Sequence, residues 1–165
     1  KFQAVSLPYA HNKMSIYLFL PDIQSDLKEF LANLTYQNFQ QWLKSFVVTE
    51  GEITIPRVKL EYETSLKQTL KAMGMEIAFS EQANFTKMAS TNLKGNIYIG
   101  DVKHKTYLEI TEQGTEAAAV TSVQMEVKGA PTTKFSLIFN RPFFYAIVDH
   151  ETNAILFTGI VGDLK

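Results

Sequence analysis

The sequence contains no cysteine among its 165 residues. This absence excludes disulfide bonds within the chain, thiolate catalysis and cysteine-based zinc sites, and it leaves the compartment open. An excess of charge of one sign is lacking too, because 16 Lys and Arg residues balance 17 Asp and Glu residues. The basic residues are scattered and form no stripe of the kind that follows a phosphate backbone. No nucleic-acid partner is therefore expected.

Long hydrophobic runs are also missing. The most apolar stretch, Phe135 to Val148, is interrupted by Asn140-Arg141-Pro142, whereas a membrane-spanning helix needs about 20 consecutive apolar residues. No membrane partner is expected, and a hydrophobic content of 45% suits one soluble globular unit. The first residues, Lys1-Phe2-Gln3-Ala4, are neither an initiator methionine nor a signal peptide, so we expect a mature, processed or partial chain.

Motifs for catalysis and cofactor binding are absent as well. The sequence has no HExxH, GxSxG, P-loop or dinucleotide-binding motif. Its three histidines, His11, His104 and His150, have no spacing that builds a metal or catalytic site. His104 falls between two predicted β segments and is expected to be a hydrogen-bonded structural histidine, whereas Asp149-His150 suits a hairpin turn. The residues alone predict no active site, no metal and no cofactor.

The patterns that are present predict an α+β fold with helices early and strands late. Asp26, with Glu29 three residues later, resembles a capping box, and Thr35 can cap a second helix with Phe39 and Trp42 on one face. The predicted helices cover 27–34, the residues after Thr35, and 66–74, where a glycine ends the third helix. The predicted strands cover 14–20, 52–55, 97–102, 106–110, 135–139, 143–148 and 155–161.

The last two predicted strands should form a hairpin around His150-Glu151-Thr152-Asn153. Both faces of this hairpin are apolar, with Phe143, Phe144, Tyr145, Ile147, Val148, Ile155, Leu156 and Phe157. A sheet that faced water on one side would not tolerate such a pattern. We therefore expect the hairpin to be buried in something larger.

Residues 114–128 support two incompatible interpretations. As a strand, the segment has period two, with one face formed by Thr115, Ala117, Ala119, Thr121, Val123, Met125 and Val127. Its beginning, Glu116-Ala117-Ala118-Ala119, nevertheless favours a helix by intrinsic propensity. A segment with both properties could lie outside a sheet and later enter one.

Several separate motifs occur in order along the chain. They are Leu7-Pro8-Tyr9, Ile55-Pro56-Arg57, Ala83-Asn84-Phe85, His104-Lys105, Glu112 to Ala119, Asn140-Arg141-Pro142-Phe143, and Ile155-Leu156-Phe157 with Gly159. By these motifs the chain resembles the C-terminal part of a serpin, a serine protease inhibitor, over essentially all 165 residues. The resemblance implies a serpin fold of the α+β class, with helices packed on mixed β-sheets, a mobile reactive-centre loop and a buried C-terminal hairpin.

The resemblance also implies that residues 1–165 are the C-terminal part of a single serpin domain, whose N-terminal part is absent from this chain. The residues missing on this interpretation include most helices and the strands beside the site at which the loop enters the sheet. The N-terminal part of the same serpin is therefore an expected partner.

The site residues follow from the same resemblance. One segment of this chain resembles the hinge of the serpin reactive-centre loop. Its residues are Glu112, Gly114, Thr115, Glu116, Ala117, Ala118 and Ala119. Counting fifteen residues from Gly114 places the reactive bond at Lys128-Gly129. His104 matches a histidine beside the site where serpin sheets open, which implies a structural role in opening. No catalytic residue, metal or cofactor is implied.

The implied function is inhibition of a serine protease by a suicide-substrate mechanism, in which the cleaved loop inserts into a sheet. Lys128 suits a trypsin-like enzyme, while Val127 and Met125 leave elastase-like or subtilisin-like proteases as targets. The alternatives are a non-inhibitory serpin that acts as carrier or chaperone, and a fragment that is inactive without its N-terminal half. The resemblance also suggests an extracellular or secreted protein.

Overall fold

In a computed structural model of the chain, residues 1–88, 95–111, 114–115 and 135–162 are described. The helices are α1 (Leu27–Ala32), α2 (Tyr36–Leu43) and α3 (Lys67–Leu70). The strands are β1 (Phe2–Tyr9), β2 (Met14–Pro21), β3 (Gly51–Thr54), β4 (Val58–Ser65), β5 (Lys103–Thr111), β6 (Gly114–Thr115), β7 (Phe135–Ile138), β8 (Phe143–Asp149) and β9 (Ile155–Val161). The chain divides into two compact units, Lys1–Val58 with Glu109–Lys165, and Lys59–Leu108.

The first unit contains an antiparallel sheet with the strand order β1-β2-β8-β9. β1 pairs with β2 from Phe2 opposite Pro21 to Tyr9 opposite Met14. β8 and β9 form the predicted hairpin, with Phe143 opposite Val161. A second, two-stranded sheet pairs β3 with β7 in parallel, so the sheets together are mixed.

The core of this unit lies between the antiparallel sheet and the two helices that follow β2. The ring of Phe19, a fully buried residue of β2, lies 5.7 Å from Phe30 of α1 and 5.9 Å from Phe39 of α2. Phe144 of β8 is also 5.9 Å from Phe19. Burial of each such side chain contributes about 1.5–3 kcal/mol, so the apolar stripes of the helices fix them on the sheet.

Both predicted helix caps are confirmed. Asp26 accepts a hydrogen bond from the backbone N–H of Glu29 at 2.7 Å, and Thr35 accepts one from Asn38 at 3.2 Å. Each cap satisfies one of the backbone N–H groups that have no partner inside a helix. The sequence therefore determined where α1 and α2 begin.

The second unit includes most of β4, α3 and the first part of β5. β4 and β5 are neighbours in a three-stranded sheet with the order β4-β5-β6. Glu63 of β4 forms ion pairs with Lys105 at 2.7 Å and with Lys103 at 3.5 Å. α3 continues into a π-helical turn, Lys71–Met75, in which Gly74 has φ of 98°, so the predicted glycine does end the helix.

One predicted strand is absent, and two strands that are present were missed. Residues 97–102 form no strand, because Ile99 instead donates a backbone hydrogen bond to Ala78 at 2.9 Å. β1 and β4 were not predicted as strands, although both are present.

Within the described residues β8 is buried and β9 is not, and the expected burial of the whole hairpin in something larger stays a prediction. Phe143 and Val148 of β8 are buried, whereas Leu156 and Phe157 of β9 are 47% and 41% exposed. β9 is an edge strand of its sheet, and within the described residues no strand pairs with its outer side. The β9 surface is apolar and uncovered by this part of the chain.

Candidate functional site

The chain reverses direction directly after β5 and returns along it as β6. Thr115 lies opposite Ile110 and Gly114 opposite Thr111, in antiparallel pairing. Only two residues, 112–113, separate the two strands. The backbone of Gly114 and Thr115 is therefore already part of a sheet.

These two residues are the members of the predicted hinge that the structure describes. Glu112, Glu116, Ala117, Ala118 and Ala119 lie outside the described residues, as do both residues of the predicted reactive bond, Lys128 and Gly129. The described part places Gly114 and Thr115 beside the C-terminal end of β5.

The two faces of β5 differ in chemistry. Leu108 is 4% exposed and shares a face with His104 and Ile110, because side chains alternate along a strand. Lys103 and Lys105 project from the other face, where both contact Glu63. A strand added beside β5 would therefore meet one face that contains the buried Leu108 and another face that carries charged residues.

His104 lies inside β5, not between two β segments as the residue pattern suggested. The error arose because residues 97–102 were predicted as a strand and are irregular. Its ring Nε2 lies 3.0 Å from the Thr106 hydroxyl, so the expectation of a hydrogen-bonded histidine is confirmed. Its role in sheet opening stays a prediction.

His150 connects two turns that are far apart in sequence. Its Nδ1 lies 2.8 Å from the Asn12 carbonyl oxygen, and its Nε2 lies 3.4 Å from the Tyr17 hydroxyl. The backbone N–H of His150 also donates to Lys13 at 2.9 Å. The sequence interpretation assigned His150 only a local role in a turn. The left-handed backbone conformations of His11 and Asn12 could not be recognised from the sequence.

Asp149, beside His150, accepts hydrogen bonds from the Thr152 hydroxyl at 2.7 Å and the Thr152 backbone N–H at 2.8 Å. These hydrogen bonds hold the pKa of the Asp149 carboxyl below its usual value, and the bond from the Thr152 hydroxyl has the largest effect. The arrangement stabilises the hairpin turn and involves no reacting group.

Neither a metal cluster nor a membrane-spanning helix is found in the described ranges. Within 1–88, 95–111, 114–115 and 135–162, no three His, Asp or Glu side chains are grouped so that they could hold a metal ion. Across the same ranges, every helix is too short or too polar to cross a bilayer.

The structure thus defines an α+β protein in which the residues directly after β5 turn back and pair with it. A family model described as "Serpin (serine protease inhibitor)" matches residues 1–164. The chain belongs to the serpin family.

Two proteins of similar sequence support this assignment. "Intracellular coagulation inhibitor 2" of Tachypleus tridentatus is 37% identical over 164 residues, which cover 99% of this chain and 40% of the relative. Human Serpin B8 is 36% identical over 162 residues, 95% of this chain and 42% of the relative. The chain thus spans about two fifths of the length of these relatives.

Solved structures support the fold. The native-state crystal structure of Tengpin, a thermophilic serpin, is 36% identical with a TM-score of 0.77, and the match covers 99% of this chain and 42% of that one. Thyroxine-binding globulin in complex with thyroxine has a TM-score of 0.78 at 22% identity and supports the fold alone. The predicted α+β serpin fold is confirmed, and so is membership of a family of inhibitors rather than enzymes.

The expectation of an extracellular or secreted protein is contradicted. The relative with 37% identity is named an intracellular inhibitor, and the next relatives include Serpins B8, B10 and B11. The expectation was derived from the family as a whole, and membership of this family does not imply secretion.

Proposed function

We propose that this chain is the C-terminal part of a serine protease inhibitor that acts as a suicide substrate. The protease attacks the loop, and the freed loop enters the sheet as a strand before the acyl-enzyme is hydrolysed. The observation that carries the proposal is the pairing of Gly114 and Thr115 with the end of β5. This pairing begins a strand at the point from which an inserted loop would extend.

The bond attacked is Lys128-Gly129, where Lys128 is the fifteenth residue when the hinge glycine Gly114 is counted as the first. A lysine before the scissile bond suits a protease with an acidic specificity pocket, so the target is a trypsin-like enzyme. Attack near Met125 or Val127 by an elastase-like or subtilisin-like enzyme would shorten the inserted segment and change how far the protease is carried.

Insertion is favourable because it adds backbone pairing and buries small side chains. A strand from Thr115 to Val127 would add on the order of ten hydrogen bonds, each with a net contribution of about 0.5–1.5 kcal/mol before the entropy of ordering is subtracted. The uncleaved inhibitor is therefore a kinetically trapped state, held by a barrier to loop entry. His104, inside β5 beside Thr106, belongs to the region that must open.

The N-terminal part of the same serpin is the partner that this chain needs. Leu156 and Phe157 on β9 are more than 40% exposed, and so are Ile155 and Ile160. An apolar edge strand of this kind is a template for aggregation unless other residues cover it. The remaining three fifths of the domain would supply that cover.

The test mixes the full-length protein with trypsin and follows the products by denaturing electrophoresis and intact mass. We expect an adduct that resists denaturation and a released peptide that begins at Gly129. Lys128→Ala should abolish both products. Lys134→Ala, which removes another lysine of the same stretch, should change neither and is the matched control.

Cleavage after Lys128 without an adduct would mean a substrate or a non-inhibitory serpin. The inhibitory mechanism would then have to be abandoned, whatever the rate of cleavage.

A further inference from the structure

A triad of charged side chains, Glu63 with Lys103 and Lys105, joins β4 to β5 within the second unit. One carboxylate oxygen of Glu63 lies 2.7 Å from Lys105 Nζ, and the other lies 3.5 Å from Lys103 Nζ. Each oxygen therefore serves one lysine. The two lysines are two positions apart on one face of β5, a separation of about 7 Å along the strand. Without the carboxylate, their positive charges would repel each other.

The other ion pair of β4 has a different geometry. Lys59 and Glu61 belong to the same strand, with Lys59 Nζ 3.7 Å from Glu61 Oε1. A pair within one strand does not hold that strand to its neighbour. Lys59 also lies 5.8 Å from the centre of the Tyr107 ring on β5, which is a weak attraction at an exposed position. Glu63, in contrast, joins the two strands by charge.

We propose that the triad is a salt-sensitive contact that holds the beginning of β5 on β4. An isolated exposed ion pair contributes little to stability, whereas a carboxylate shared by two lysines also removes the repulsion between them. The side chains of the triad are 44% to 74% exposed, so dissolved ions can screen their charges. The inference goes beyond the proposed function, because it concerns the uncleaved protein and holds whether or not a protease is trapped.

A backbone hydrogen bond just before β5 provides an internal reference. The N–H of Leu66 donates to the Val102 carbonyl oxygen at 2.8 Å. Neither of these groups carries a net charge, so salt does not screen this bond as it screens the triad. Loss of the triad should therefore be visible in β5 and leave the Leu66 amide unchanged.

Hydrogen–deuterium exchange of the full-length, uncleaved protein tests the proposal. Glu63→Gln keeps the shape of the side chain and removes its charge. In about 0.01 M salt the Debye length is about 30 Å, and we expect the protected amides of residues 103–107 to exchange several-fold faster than in the wild type. In about 1 M salt the Debye length is about 3 Å, and the two proteins should differ by less than about twofold.

Glu61→Gln is the matched control, because it removes the same group from the same strand and breaks an ion pair within β4. This variant should exchange like the wild type. Lys105→Gln completes a double-mutant cycle with Glu63→Gln. Since the two residues contact each other, the combined variant should exchange more slowly than the product of the two single effects predicts.

Equal exchange in Glu63→Gln and Glu61→Gln would overturn the proposal. A faster exchange of Glu63→Gln that persists undiminished in about 1 M salt would overturn it too, because the cause would then not be charge. Both results would leave the proposed inhibition standing, since that is judged by the adduct with trypsin. Conversely, a wild type that forms no adduct would overturn the inhibition and leave the triad to be decided by exchange.

Discussion

At the scale of single residues, Gly159 shows how closely β8 and β9 are packed. It lies opposite Tyr145, and a Cβ built on Gly159 would come within 2.6 Å of the Tyr145 hydroxyl and 2.7 Å of its ring. Tyr145 is 3% exposed, so its ring has little room to move. Burial also raises the pKa of its hydroxyl, which therefore stays neutral. The glycine therefore makes space for the tyrosine.

Gly159→Ala should consequently destabilise the full-length protein. Overpacking of this kind costs about 1–3 kcal/mol, because the tyrosine must shift inside a packed core. We expect a lower thermal unfolding temperature, measured by circular dichroism. Gly162→Ala is the matched control, since a Cβ at Gly162 meets no atom within 4 Å. Equal unfolding temperatures for the two variants would contradict this explanation.

Thr152→Val should raise the pKa of the Asp149 carboxyl towards its ordinary value of 3.8. The Thr152 hydroxyl is the main cause of the lowered pKa, and valine keeps the shape while removing that donor. A lowered folded-state pKa gives stability that is complete above the unfolded value and is lost as pH falls through the folded value.

An NMR titration of the Asp149 carboxyl carbon measures this change directly. Thr158→Val, a similar exposed substitution on β9, serves as the control and should leave the titration unchanged. A titration of Asp149 that is the same in wild type and Thr152→Val would show that the hydroxyl is not the cause.

At the scale of elements, the helices show what a local pattern can determine. The cap residues Asp26 and Thr35 lie three residues before the N–H groups that they satisfy, so the whole interaction is visible in the sequence. The apolar stripe of α2 was equally local, and it predicted the face that packs on Phe19.

Thr35→Val should destabilise α2, because the side chain keeps its shape and loses the oxygen that accepts from Asn38. Loss of such a cap costs about 0.5–2 kcal/mol. Thr35→Ser retains the oxygen and should stay near wild type. The comparison is made by thermal unfolding of the full-length variants, and equal losses for valine and serine would argue against a capping role.

Strands were less predictable, because a strand depends on a partner elsewhere in the chain. Residues 97–102 have the apolar, β-branched pattern of a strand and yet form none, since Ile99 bonds with Ala78 rather than with a ladder. β1 has a weaker pattern, with Pro8 near its end, and exists because β2 pairs along its whole length.

The candidate site shows the same difference between local patterns, which the sequence reveals, and contacts between distant residues, which it does not. Gly114 and Thr115 were predicted as hinge residues through the family motif, and their pairing with β5 could be found only in the structure. His150 was interpreted as turn chemistry alone, because its partners Asn12 and Tyr17 are more than 130 residues away in sequence. No local pattern contains information about such a contact.

At the scale of the whole molecule, the chain contains β5 and β6 and spans about two fifths of the length of the relatives that it matches. β5 and β6 provide one side of a sheet, and the matched relatives are about two and a half times as long as this chain. The proposed inhibition can therefore be measured only in the full-length protein. In the proposed mechanism, inhibition depends on whether the loop enters the sheet faster than water hydrolyses the acyl-enzyme.

Thr115→Arg in the full-length protein tests that competition. The backbone of Thr115 pairs with Ile110, so an arginine at this position would have to carry its charge into the sheet or hold the hinge out of it. We expect trypsin to cleave the variant at an unchanged rate while the fraction trapped as a denaturation-resistant adduct falls at least several-fold. Thr115→Ser, which keeps a small hydroxyl side chain, should trap as much protease as the wild type. If Thr115→Arg still traps protease fully, the hinge is not where insertion begins, and the pairing of β6 with β5 has another purpose.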